Sequence, residues 1–150
     1  MNTQTTPDNV VKLSYRAMIP ALNSRNSFIR QNLTLHEHDA RTSKMTSVDT
    51  SEIVLISFLD SNEKRLSGKD RFSRVKSSGH IRLGARFALA LFEDQDKIPK
   101  DWRLDKSEKG SLINFDGDVF IDEVTGYKYT VCLIWMGDCW EVDFCWVDSE

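Results

Sequence analysis

The densest group of side chains able to do chemistry is His36-Glu37-His38-Asp39. Two histidines at i and i+2 share a face when the chain is extended, as metal-binding pairs often do. The stretch lies in a polar region, between Thr34-Leu35 and Ala40, and His80 is the sole further histidine. A solvated loop is the plainer reading, so no metal ligand is assigned. Asp116-Gly117-Asp118, with Asp122 and Glu123 beyond, carries part of a calcium-loop pattern. It lacks both the D-x-[DN]-x-[DN]-G spacing and the twelfth-position glutamate, and it reads as an acidic turn. Cys132, Cys139 and Cys145 are spaced by seven and six with no C-x-x-C, which argues against structural zinc. Their odd number, without a signal peptide at Met1–Asn9, points to free thiols in a reducing compartment.

The nucleophile and phosphate motifs are missing. There is no G-x-S-x-G elbow, no P-loop around Gly68-Lys69 and no G-x-G-x-x-G. Glu141 and Asp143, two apart on one strand face, have the spacing of an acid–base pair, but that pattern is more simply a sheet face turned to water. The expectation is a protein without catalysis and without a cofactor. An unrecognised hydrolase or metal enzyme near His36 and His38 is the catalytic alternative.

Charge points to binding instead. The 150 residues carry a net charge of −3, unevenly distributed. Residues 1–110 hold nineteen Lys and Arg against fourteen Asp and Glu, whereas residues 111–150 hold Lys128 against nine acids. Within residues 64–86, eight basic side chains face Asp70 alone, a local +7. Arg65, Lys69, Arg71, Arg74 and Lys76 are therefore candidates for a cationic binding surface, and Asp122, Glu141 and Asp143 for an acidic one. Lys and Arg interleaved with Ser and Gly suit phosphate contacts, which makes a nucleic-acid-binding module using 64–86 a second alternative. The two charged segments could equally face each other. Any partner-binding surface is expected to be charged rather than apolar, the apolar residues being consumed by one core.

The elements that must position these residues read as a soluble α+β domain over 10–150, behind a disordered leader at 1–9. No run approaches the ~20 apolar residues of a membrane helix. Val11, Leu13 and Tyr15 alternate as a weak strand, and Ile53–Leu59 reads as a strand buried on both faces. The basic segment reads as a loop because of Gly68 and Gly79. Leu83, Phe87, Ala88, Leu91 and Phe92 predict one main helix over 80–95, capped by Ser77 or Ser78, with Glu93, Asp94 and Asp96 opposing the macrodipole at its far end, which should fray or find a cationic partner.

Beyond Trp102 the period becomes two, predicting a C-terminal antiparallel meander of three or four strands. Leu112–Phe115 and Val119–Val124 are its first strands, and Tyr127–Met136 and Cys139–Val147 form the closing hairpin around Gly137-Asp138. This register puts Trp135, Trp140, Phe144 and Trp146 on one face, against the helix. It makes Cys145 only the diagonal neighbour of Cys132, at a Cα separation of roughly 7–8 Å, so the thiols are expected to stay reduced and unbridged.

Arg82-Leu83-Gly84-Ala85, Ala88–Glu93, Ile98-Pro99-x-x-Trp102, Asp116-Gly117 and the Trp135/Trp140 hairpin together resemble a group of small uncharacterised bacterial proteins. The resemblance covers residues 80–147. It implies a bacterial cytoplasmic protein and transfers no activity. The expected function is binding of another macromolecule, a protein in the manner of an inhibitor, immunity or regulatory factor, with no membrane involved.

Overall fold

The computed structural model describes residues 9–13, 33–103 and 112–148. Along them run Val10–Lys12 (β1), Leu33–His38 (β2), Ser47–Asp49 (β3), Gly68–Ser77 (α1), Ala85–Glu93 (α2), Leu112–Asp122 (β4), Lys128–Trp135 (β5) and Trp140–Trp146 (β6). Short 3-10 turns follow β2 and β3, and two more follow α2. The leader lies outside the described residues apart from Asn9, as does Tyr15. No described helix is long and apolar enough to cross a membrane.

The fold is α+β. An antiparallel sheet of order β2-β4-β5-β6 packs against α2, and β1 pairs with β3 as a separate two-stranded ribbon. The closing hairpin has the register that alternation dictates, from Trp135 opposite Trp140 to Tyr129 opposite Trp146. Gly137 turns it with φ +97, and the Met136 N–H donates to the Cys139 carbonyl. On the inner face, Val131, Leu133 and Trp140 are fully buried with Phe87, Ala88 and Leu91 of α2. Trp146, at the outer end of that face, remains 43% exposed and stacks on Tyr127.

Four expectations are corrected. Leu112–Phe115 and the following strand are one continuous element, β4, with a register shift between Phe115 and Phe120 where Asp116-Gly117 was read as a turn. The fourth strand of the sheet is β2, drawn from the stretch read as polar loop. Ile53–Leu59 is extended but joins neither sheet, and Val54 is 74% exposed. The basic segment folds as α1, whose first turn is capped by Ser67 Oγ accepting the Asp70 N–H.

The main helix is also shorter than 80–95. Ser78 closes α1 instead of opening α2, and Gly84 sits at the α2 N-terminus with no side chain to cap it. The Asp118 carboxylate supplies the cap from β4, accepting the Ala85 N–H at 2.7 Å. This requires the chain at 82–84 to cross directly over the β4 bulge. A Cβ on Gly84 would collide with the Asp118 carboxylate, and one on Gly117 with the Arg82 carbonyl oxygen. At the other end Lys97 Nζ lies 3.4 Å from Asp94 and donates to the Val10 carbonyl, the cationic partner that the acidic helix end calls for.

Candidate functional site

Antiparallel pairing sets His38 opposite Asp118, so β2 and β4 join the two clusters that stand apart in the sequence. His38 Nδ1 lies 2.5 Å from Asp118 Oδ1 and Nε2 lies 2.8 Å from Ser43 Oγ. Ser43 is placed there by the turn after β2, where the Asp39 carboxylate accepts the Arg41 N–H. With Nδ1 protonated, His38 donates to Asp118 and accepts from the Ser43 hydroxyl, an alcohol–imidazole–carboxylate relay. The Ser43 N–H is bonded to the Ala40 carbonyl and so does not serve as an oxyanion donor. His36 is exposed on β2. Among the described residues, no group of three His, Cys, Asp or Glu side chains is arranged to hold a metal ion.

Asp39 anchors a second knot. It accepts from Arg41 Nε and Nη2 and from the Arg82 N–H. The Arg41 guanidinium holds the Asp39 carboxyl well below the ordinary carboxylate range, against the opposing effect of its burial. Arg41 in turn donates to the Gly79 and His80 carbonyls, tying the α1–α2 connection to the end of β2.

Most of the cationic candidates are spent inside the molecule. Arg71 Nη1 meets both oxygens of Asp116, at 2.8 and 2.7 Å. Arg74 takes both carboxylate oxygens of Glu63, at 2.6 and 2.7 Å, and donates to the Phe58 carbonyl. Lys76 lies 3.1 Å from Glu37. Arg65 and Lys69 are exposed on the near side of α1. Of the acidic candidates, Glu141 is exposed and Asp143 half-buried, with its carboxylate accepting the Phe144 N–H. Asp122 is not on that face: it is 6% exposed and its carboxylate caps the β4–β5 turn through the Val124 and Thr125 N–H groups.

A concavity of about 630 Å³ lies between Ile53–Leu59, α1, residues 78–83 and the first half of β4. The Arg71–Asp116 pair lies in its wall, and Arg65, Arg82 and His80 also line it. Its rim is apolar and wet, because Leu55, Ile56, Leu59, Ile81 and Leu112 are each between 42% and 58% exposed. The premise that one core consumes the apolar residues is corrected here, because these side chains lie outside it. Among the described residues, the backbone groups of Val54, Leu55 and Ile56 take no hydrogen-bond partner. The sequence held one signal for this arrangement, Ser67-x-x-Asp70, a capping pattern that starts α1 and leaves the preceding apolar run outside it. The chain matches no protein family, no curated protein and no solved structure with which it was compared.

Proposed function

We propose that the protein binds an extended segment of a partner protein along Ile53–Leu59, by strand addition into the 630 Å³ cleft. The observation that carries this reading is an apolar, extended and exposed segment whose backbone donors and acceptors at Val54–Ile56 are unpaired among the described residues. Such a segment is a template for another strand, with main-chain bonds supplying affinity and alternate side chains supplying specificity. Arg71 is paired with Asp116 and Arg82 with Glu37 and Asp39, whereas Arg65 meets no acid among the described residues, so the fitting segment is apolar with an Asp or Glu placed to reach Arg65. The binding has no catalytic step. The resemblance of residues 80–147 and the free thiols support a bacterial cytoplasmic setting.

The neutralised arginines count against the nucleic-acid alternative. A phosphate would have to displace Asp116 from Arg71 and Glu63 from Arg74. Selection of displayed peptides on the protein tests the main reading. Enriched peptides should combine apolar residues with Asp or Glu, bind less well as salt rises, and slow amide exchange at Val54–Ser57. Ile56→Pro, which removes one N–H from the template, should weaken them by about tenfold, ~1.4 kcal/mol. Peptides that bind without protecting these amides would overturn it.

The Ser43–His38–Asp118 contacts favour a second reading, a serine hydrolase. A fluorophosphonate should then add to Ser43, and the adduct should vanish in Ser43→Ala and His38→Gln. Unlabelled wild-type protein would end that reading.

A further inference from the structure

The outer face of the sheet carries a buried group that neither reading above uses. Cys132 on β5 is fully buried and Cys145 on β6 is half-buried, and their sulfurs lie 2.8 Å apart with no bond between them. The register is the one expected, with Cys132 opposite Asp143 and Cys145 opposite Thr130. A twisted pair of strands has one short and one long diagonal, and the two side chains lean together across this one. A disulfide is ~2.05 Å long, so closing the gap takes less than an ångström of sulfur movement. Arg71, which lies in the cleft wall with Asp116, is close enough to Cys145 to act on its charge.

We infer that Cys132 and Cys145 are a modification site, a dithiol that a hydroperoxide converts into a cross-strand disulfide, with Cys145 reacting first and Cys132 resolving. Access sets the order, because Cys132 has no exposed surface and Cys145 has some. Charge sets it too. The hydrogen bond with Cys132, and then Arg71, hold the Cys145 thiol below its ordinary range, against burial and the nearby Asp143 and Asp116. Cys139 is the internal contrast: burial first, then Asp138 and Glu141, push its thiol up.

The chemistry balances. The Cys145 thiolate attacks one peroxide oxygen; an S–O bond forms, the O–O bond breaks, and the departing hydroxide takes a proton and leaves as water. The Cys132 sulfur then attacks the Cys145 sulfenic sulfur as its own proton is lost. The S–S bond forms and the S–O bond breaks, releasing a second water. Two thiols lose two electrons and two protons, and hydrogen peroxide is reduced to water. A dithiol reductant reverses the product.

The test treats the folded full-length chain with a dose of hydrogen peroxide that fully oxidises glutathione at the same concentration, then denatures and alkylates it with N-ethylmaleimide. All three cysteines follow Lys128, the last basic residue, so an Asp-specific protease is used to separate them. The expected result is a linked Cys132–Cys145 peptide pair lighter by two hydrogens, an alkylated Cys139, and three alkylated cysteines after dithiothreitol. Cys132→Ser should leave Cys145 as a sulfenic acid that dimedone traps. If that variant does not fold, brief peroxide pulses on the wild type should give a dimedone adduct at Cys145 before the link appears. Three alkylated cysteines after peroxide, a link through Cys139, or an adduct appearing first at Cys132 would each overturn the inference.

Discussion

Trp140 shows how much one side chain carries here. It is fully buried, its ring centroid lies 5.4 Å from that of Trp135, and its backbone sits at the tight end of the hairpin. Trp140→Ala should therefore cost about 3–5 kcal/mol, read as a lower urea midpoint at an unchanged slope. This position was legible in the sequence because alternation on both arms of a two-residue loop admits a single register that segregates the aromatic residues. Asp122 was not legible in the same way. A carboxylate that caps a turn and one that faces water have the same letter, and only the Val124 and Thr125 N–H groups distinguish them. Ser43 was invisible as a partner of His38, since the turn capped by Asp39 is what brings the hydroxyl back to the ring.

Elements were read well where their period was strong and their burial one-sided. α2 and the hairpin meet both conditions. β2 does not, because it is an edge strand whose Thr34, Leu35 and His36 are all exposed, leaving Leu33 as its buried anchor. Ile53–Leu59 failed for the opposite reason: β-branched apolar residues fit a buried strand, but the segment is held by the Arg74 bond to the Phe58 carbonyl and not by a sheet. β4 looked like two strands because Asp-Gly usually marks a turn. Here Gly117 lets the strand pass beneath 82–84, where its N–H donates to the Leu83 carbonyl. Gly117→Ala would press a Cβ against backbone, which cannot rotate away, so a loss of at least about 1–3 kcal/mol in chemical denaturation is expected.

Across the whole molecule, the basic middle and the acidic end do meet, but at Arg71 and Asp116 more than along a broad front. Part of the remaining charge is met locally, Arg74 by Glu63, Lys76 by Glu37 and Arg82 by Glu37 and Asp39. Asp39 and Glu63, both held below the ordinary carboxylate range, make the α1 side of the molecule sensitive to pH. Hydrogen bonds from Arg74 and the Asp60 N–H hold Glu63 at about 2, below its ordinary 4.5. A depressed carboxyl contributes stability fully above 4.5 and loses it as pH falls toward 2. Wild-type urea midpoints should therefore decline through that window, and Glu63→Gln should show a smaller decline over the same range.

Gln95 sits at the rim of the sheet, against the first residue of β6. Its carboxamide donates to the Trp140 carbonyl at 2.9 Å and accepts the Trp140 N–H at 2.8 Å, as a peptide group of a neighbouring strand would. Among the described residues β6 is the outermost strand of the sheet, and outer strands invite copies of the same chain to stack on them. One glutamine thus imitates the first rung of a ladder and occupies the position where polymerisation along β6 would begin. Under the proposed strand addition at Ile53–Leu59, this rung is one place where a second copy finds the main chain already occupied.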